Sequence, residues 1–409
     1  MDPPRFTDYY RWMLQSFIYW GMPTPWLPKL PKSAWWLLVI YDILTLLLIC
    51  FALCIFVFTI ACGNLGFQDV TVLLPGFVFY TSALYLSLYQ YLIKGRLEKI
   101  AADVDAIARE IIGSKLGLEK ELLQVYSDNS KNIIYYCRLL PCLYVSSSTI
   151  FFCSVPIVDW FEGNYRTNFA ISIVTPFDYR QPGIYEFVVL LLTTALFIST
   201  CKQLNNALFF LAFFNTLRSY LKYLYLSMDE LQNNIIKEDY TLTRQSIRTW
   251  IKIHQEINRC LQVLLQLFSP IIIVNCMYIL VYLVGALFLQ TQEKRNNIYQ
   301  TFSAFIGVMG TVIQVYMIFN IADHVTFEAR DLANAVYGLP WYEMDKRTKR
   351  EVQMIITMCN RPIHVTGYRT NALILNRETL TAIMTSALSA YLTLCQMKEA
   401  FGPEESTAQ

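Results

Sequence analysis

The last membrane-length segment, from Glu378 to Ala400, carries a stripe of hydroxyl and amide side chains. The stripe recurs at intervals of four, four, four and three residues, at Thr381, Thr385, Ser389, Thr393 and Gln396. At about 100° per residue these side chains share roughly a third of a helix circumference. Such groups serve close contact between membrane helices, face water in a pore, or bond back to carbonyls of their own helix. The residues alone favour helix contact over a pore.

Residue patterns of enzyme active sites and metal sites are missing from the sequence. Its three histidines lie far apart and lack a Cys or His at metal-ligand spacing: His254, His324 and His364. There is no phosphate-binding Gly-rich loop and no nucleophile motif. We therefore expect no catalytic residues, no metal, no cofactor and no nucleic-acid partner.

The composition identifies the environment of these elements as a lipid membrane. Hydrophobic residues make up 55% of the 409 residues and charged residues only 16%, which is more apolar than an ordinary soluble domain. A spanning helix needs about 20 mostly apolar residues. Seven segments qualify, near 34 to 62, 70 to 93, 134 to 158, 187 to 210, 263 to 289, 298 to 321 and 379 to 398. The prediction is an all-α protein with seven transmembrane helices.

Lys and Arg residues predict the orientation. With the N-terminus in the cytoplasm, 26 of them fall on cytoplasmic segments and five on extracellular ones, as the positive-inside rule requires. The expected organisation is a cytoplasmic segment (1–33), six spans with long cytoplasmic helical loops (34–321), cytoplasmic anchor helices (322–378), the seventh span (379–398) and an extracellular tail (399–409). A cytoplasmic N-terminus and an extracellular C-terminus argue against a G-protein-coupled receptor, whose N-terminus is outside.

Apolar residues at helical spacing continue several spans into the predicted cytoplasm. One stripe follows the second span, at Leu97, Ile100, Val104, Ile107 and Ile111, and another follows the fourth, at Leu217, Leu221, Leu224, Met228, Leu231 and Ile235. A separate short helix is expected after Asp345 as N-cap, with Val352, Ile355, Ile356 and Cys359 on one face. Together these segments predict a cytoplasmic anchor bundle, which either packs within one subunit or also joins subunits.

The C-terminal third resembles the insect odorant receptor family. That family has a helix ending in Ala-x-Tyr, then Trp-Tyr, a basic-to-apolar helix, an Arg or Gln with Pro, and a final span closing on Ser-Tyr-Phe-Thr-Leu-Leu. The matching positions here are Ala335, Tyr337, Trp341, Tyr342, Arg361, Pro362 and the stretch from Ser389 to Cys395. Leu392 stands where the family usually has Phe.

The resemblance implies a multi-pass plasma-membrane protein of sensory dendrites, embedded in membrane lipid and acting as an odorant-gated, non-selective cation channel. A variable tuning subunit, which this chain resembles, would assemble with an odorant receptor co-receptor, as a tetramer around a pore lined by the last helix. Aligning Tyr391 with the family's tyrosine places Leu394 at the hydrophobic gate, Thr393 beside it and Gln396 nearer the extracellular mouth. A one-residue shift fits as well and would make Thr393 the gate.

By the same resemblance, the odorant site lies in the outer half of the bundle, between spans two, three, four and six. Candidate ligand contacts on spans two, three and six are Phe77, Tyr80, Thr81, Leu84, Ser147, Ser148, Phe302, Phe305 and Met309. An apolar pocket with a few hydroxyls suits a small, neutral, volatile odorant such as an ester, alcohol, aldehyde or terpenoid. The alternative for each residue is ordinary packing between membrane helices.

Three charges lie within or near spans, at Asp42, Arg138 and Lys202. An ion pair or snorkelling to the interface explains them better than a role in conduction. Two rival functions remain open. A gustatory receptor of the same superfamily would have a longer spacing between Tyr391 and Gln396, and a membrane transporter would have internal repeats or broken helices.

Overall fold

The computed structural model describes residues 32–63, 67–113, 119–161, 174–236, 240–289, 298–361, 363–367 and 373–401. Within these ranges the chain forms eight α-helices: α1 (Lys32–Cys62), α2 (Phe67–Gly113), α3 (Glu119–Phe161), α4 (Ile184–Ile236), α5 (Tyr240–Leu289), α6 (Ile298–Gly338), α7 (Lys346–Cys359) and α8 (Arg377–Phe401). Two short antiparallel strands, β1 (Thr366–Gly367) and β2 (Leu373–Ile374), lie between α7 and α8. The predicted segments 1–33 and 399–409 lie outside the described residues apart from their inner ends, as does Pro362.

Six helices in the described part of the chain are long and apolar enough to cross a membrane. They are α1, α2, α4, α5, α6 and α8, and they coincide with six of the seven predicted spans. The remaining predicted span, near 134 to 158, lies within α3, a helix of 43 residues that is not among the six. The protein is thus an all-α membrane protein, as predicted.

Four of these helices are far longer than a bilayer is thick. Helices α2, α4, α5 and α6 contain 47, 53, 50 and 41 residues, or about 60 to 80 Å at 1.5 Å per residue, against about 30 Å of hydrocarbon. The extensions form one packed bundle, because the two predicted apolar stripes on α2 and α4 are buried at every position. The structure therefore confirms that these helices continue well beyond the length that a bilayer requires, and the cytoplasmic location of the extensions stays a prediction.

Helix α7 begins as the sequence predicts. The Asp345 carboxylate accepts hydrogen bonds from the backbone N–H groups of Arg347 and Thr348, at 3.1 and 3.4 Å. The buried residues of the helix are Thr348, Val352, Ile355 and Cys359, whereas Ile356 is half-buried. A hydrogen bond from the Thr348 side chain, assisted by the two backbone donors, lowers the pKa of Asp345.

Helix α8 differs from the others because it is packed along one side only. It contacts α5 and α6, and Ala387 is the one buried residue among its described side chains. Leu388 and Leu392 are each 52% exposed, so large apolar side chains lie uncovered by this chain. In a membrane protein such a surface is left for lipid or for another subunit.

Candidate functional site

A cavity of about 150 Å³ lies between α2, α3, α4, α5 and α6, with one residue contributed by α1. Seven aromatic residues contribute to its wall: Phe56, Phe79, Tyr80, Tyr144, Phe151, Tyr278 and Tyr282. No charged side chain is found among the described residues that line it. A site of this composition binds neutral molecules through dispersion and desolvation, with polar groups fixing orientation.

Glycines allow the helices around the cavity to approach one another closely. A Cβ atom at Gly285 on α5 would lie 2.0 Å from Cγ of Pro75 on α2. At Gly307 on α6, a Cβ atom would lie 2.3 Å from the Tyr282 hydroxyl and 2.9 Å from the Ser147 hydroxyl. Real Cβ atoms do not approach other atoms so closely, so both positions need glycine for this packing.

Two polar contacts connect α3 to α6 beside the cavity. Ser147 and Ser303 are joined reciprocally: each hydroxyl donates to the other residue's carbonyl oxygen, at 2.9 and 2.7 Å. The Tyr144 hydroxyl donates to Oε1 of Gln314 at 2.7 Å and lies 3.3 Å from the Thr311 hydroxyl. These bonds hold the two helices in one register, because a slip would leave several polar groups unpaired.

Three of the predicted ligand contacts line this cavity: Tyr80, Ser147 and Ser148. Phe77 and Leu84 are half-buried against the core instead, and Thr81 is exposed, with its hydroxyl donating to the Phe77 carbonyl at 2.7 Å. The predicted residues of α6 face outward: Phe302, Phe305 and Met309 are 57%, 58% and 43% exposed. For the six predicted residues that do not line the cavity, ligand contact stays a prediction, and the position of the cavity does not support it.

The sequence reasoning missed the contribution of α5. Tyr278, Tyr282 and Gly285 on this helix all line the cavity, and on α6 the lining residues are Ser303, Ala304 and Gln314 rather than the aromatic face. The sequence does contain a pattern for this face. Steps of four and three residues place Tyr278, Tyr282 and Gly285, two phenols and a residue without a side chain, on one side of a helix.

The polar stripe of α8 lies mostly on its uncovered side. Thr381, Thr385, Ser389, Thr393 and Gln396 are all exposed, whereas Leu394 is half-buried against the bundle of its own chain. Three of the hydroxyls bond back to their own helix: Thr381 to the Arg377 carbonyl (3.0 Å), Thr385 to the Thr381 carbonyl (2.6 Å) and Thr393 to the Ser389 carbonyl (3.0 Å). Because its hydrogen bond is made within its own helix, such a hydroxyl can face lipid, protein or water.

The first residue of α8 is attached to α6. The Arg377 guanidinium lies 3.3 Å from the Asp323 carboxylate and donates to Oδ1 of Asn320 at 3.1 Å. Helix α6 is continuous from Ile298 to Gly338, so it carries both these partners and the cavity residues Ser303 and Gln314. The same helix therefore lines the cavity near its start and contacts the first residue of α8.

Comparison with solved structures places this fold among insect olfactory receptors. The olfactory receptor OR5 from Machilis hrabei aligns with a TM-score of 0.78 at 12% identity, covering 95% of this chain and 98% of that one. Its complex with eugenol aligns with a TM-score of 0.79 at 13% identity, covering 96% and 99%. At these identities the likeness is one of fold.

Sequence comparison agrees. Odorant receptor coreceptors from Ooceraea biroi and Harpegnathos saltator are each 19% identical over 167 residues, which is 41% of this chain and 34% of each coreceptor. The matched region is therefore about a third of the length of these relatives. The family model for the 7tm Odorant receptor matches residues 117–387, well over half of the sequence. This chain belongs to the 7tm Odorant receptor family, a family of receptors and not of enzymes.

Proposed function

We propose that this chain is the odorant-binding subunit of a ligand-gated, non-selective cation channel in the plasma membrane. The observation that carries the proposal is the cavity, whose described lining has no charged side chain and includes aromatic rings from several helices. Its volume equals that of an engineered protein cavity that binds benzene. The ligand is a small neutral odorant, and the fold relative solved with eugenol supports that assignment.

The partner is an odorant receptor co-receptor, in an assembly that we take to be a tetramer. Similarity to two coreceptors supports this partner, as does the large uncovered surface of α8, which a neighbouring subunit would bury. In this arrangement the N-terminus is cytoplasmic, the C-terminus is extracellular, and α8 of each subunit lines a central pore. The anchor bundle below the membrane supports the inner ends of the helices.

Ligand binding opens the pore by moving α6, to which the start of α8 is attached through Arg377. The gate lies near the outer end of α8, where Leu394, Thr393 and Gln396 fall within one turn. A ring of apolar side chains, one from each subunit, closes a pore by excluding water. A small rotation of the helices replaces these side chains in the lumen with polar ones. Because Leu394 is half-buried against its own bundle and Thr393 is exposed, the packing favours Thr393 as the lumen-facing residue.

The proposal is tested by whole-cell recording from cells that express this chain with and without a co-receptor. The panel contains neutral odorants of several classes together with charged analogues. We expect a cation current in the paired cells, evoked by neutral odorants only. Cells expressing the co-receptor alone are the control, because their response to each compound must be subtracted.

Two outcomes would contradict the proposal. One is a second-messenger response through a G protein without any current. The other is the absence of an odorant-evoked current in paired cells whose surface expression of both subunits has been verified by biotinylation.

A further inference from the structure

The Tyr80 hydroxyl is a buried polar group beside the cavity. Tyr80 is only 1% exposed and lines the cavity, yet its hydroxyl has no hydrogen-bond partner among the residues that the structure describes. By contrast, the hydroxyls of Tyr144, Ser147 and Ser303 all donate to protein acceptors. The Tyr80 hydroxyl is therefore a buried phenolic donor, beside the cavity, that no described protein group uses.

Neighbouring rings hold the Tyr80 side chain in place. The ring of Phe56 lies 5.4 Å from that of Tyr80, and Phe79 meets it edge-on at the same centroid distance. Two rings in contact with the phenol restrict the positions its hydroxyl can take. A ligand atom that accepts its hydrogen bond must then lie in a narrow region, which is the condition for selectivity.

An unused buried donor discriminates between ligands. A hydroxyl taken out of water loses its hydrogen bond to solvent, and a bound acceptor restores that bond. A molecule of the same shape without an acceptor leaves the donor unpaired, so it binds less tightly. Ionised acceptors are disfavoured, because the described lining contains no positive charge to pair with them.

We propose that this site selects small neutral molecules, about the size of one substituted benzene ring, that carry a carbonyl or ether oxygen. Tyr80 is the specificity residue, and its hydroxyl donates a hydrogen bond to that oxygen. The aromatic wall favours a planar ligand, since rings pack against it edge-on or offset. This inference depends on the proposed function, in that it takes the cavity as the ligand site.

The test uses pairs of ligands that match in shape and differ in the acceptor. One pair is acetophenone and α-methylstyrene, in which a methylene group replaces the carbonyl oxygen; a second is anisole and ethylbenzene. Paired cells are recorded for the unmodified chain and for Tyr80→Phe, which removes only the hydroxyl. For the unmodified chain we expect the oxygen-bearing member of at least one pair to be more potent by about tenfold, the effect of one hydrogen bond.

In Tyr80→Phe, the potency ratio within the pair should fall to near one, because the oxygen-bearing member loses its hydrogen bond. The matched control is Tyr85→Phe on the same helix, because Tyr85 is 40% exposed and does not line the cavity. Its ratio should equal that of the unmodified chain. Surface biotinylation establishes that both variants reach the membrane.

Two results would overturn the assignment: an unchanged ratio in Tyr80→Phe, or currents evoked by other odorant classes and by neither oxygen-bearing probe. Both leave the proposed function standing. If no compound of any class evokes a current, the proposed function fails and this inference fails with it.

Discussion

The ammonium nitrogen of Lys202 on α4 lies 3.4 Å from a carboxylate oxygen of Asp42 on α1, and both side chains are almost fully buried. The same ammonium group donates to the Thr45 hydroxyl at 2.9 Å. Two of the charges noted within the predicted spans thus form an ion pair. The adjacent residue on α4, Gln203, lines the cavity, so the pair lies next to the part of α4 that borders the cavity.

Removing one partner of this pair should destabilise the protein strongly. Lys202→Met leaves an unpaired buried carboxylate, which typically costs about 3–5 kcal/mol, whereas replacing both charges by apolar groups is often neutral. We expect a large loss of surface expression and thermal stability in Lys202→Met, and substantial recovery in Lys202→Met with Asp42→Leu. Thermal unfolding in detergent and surface biotinylation measure both effects. A double variant no better than the single one would show that the pairing is not what stabilises these helices.

Close packing of α2 on α5 predicts a contrast between two glycines. Gly285→Ala places a Cβ atom against the rigid ring of Pro75, and overpacking of this kind costs about 1–3 kcal/mol. Gly95→Ala on α2 meets nothing within 4 Å and should stabilise the helix by up to about 1 kcal/mol. The melting temperatures of the two purified variants should therefore move in opposite directions. Equal shifts would mean that α2 and α5 do not approach as closely as described.

The Arg377–Asp323 pair should influence gating more than stability. Arg377 is 62% exposed and Asp323 36%, and exposed ion pairs contribute only about 0–1 kcal/mol. Because the pair connects α6 to α8, Arg377→Asp should change the odorant concentration for half-maximal current several-fold, and adding Asp323→Arg should restore it. Arg330→Asp, an exposed charge reversal on α6, is the control. An equal shift in the control would assign the effect to net charge.

Substitutions on α8 distinguish the two gate registers. If Thr393 faces the lumen, Thr393→Val makes the gate more apolar and should lower the odorant-evoked current, whereas Leu394→Ala should chiefly weaken packing against the bundle. If Leu394 is the gate, Leu394→Ala should instead raise the resting current or alter ion selectivity. Single-channel recording and reversal potentials separate the two. Normal conduction in both variants would place the gate elsewhere.

The sequence predicted the helices well and the cavity only in part, for a physical reason. Beyond the membrane, Leu97 and Leu217 lie on stripes that polar residues interrupt, so periodicity identifies the buried face. Within the membrane, lipid solvates apolar side chains as well as the protein interior does. Phe302, which is exposed, and Tyr278, which lines the cavity, therefore carry the same apolar signal. Only the packing of the assembled helices decides which of them faces inward.

Similarly, no pattern in the sequence indicates that Asp42 and Lys202 meet, because they are separated by 160 residues. Of the two explanations that the sequence left open for such charges, an ion pair and snorkelling to the interface, the structure shows the ion pair for these two residues. The identity of the partner depends on the rotation of α1 and α4 about their own axes. Many small contacts between helices determine this rotation, and the spacing of residues along the sequence does not reveal it.

Gly307 has a consequence for how receptors of this design diversify. Any side chain there displaces the Tyr282 hydroxyl, which lies at the far end of a side chain that also lines the cavity. Glycine codons are one base change from those of alanine, serine and valine. With the cavity as the proposed ligand site, a single base change at this position would alter the size of molecule that fits, together with the close packing of α3 and α5 on α6 that glycine allows.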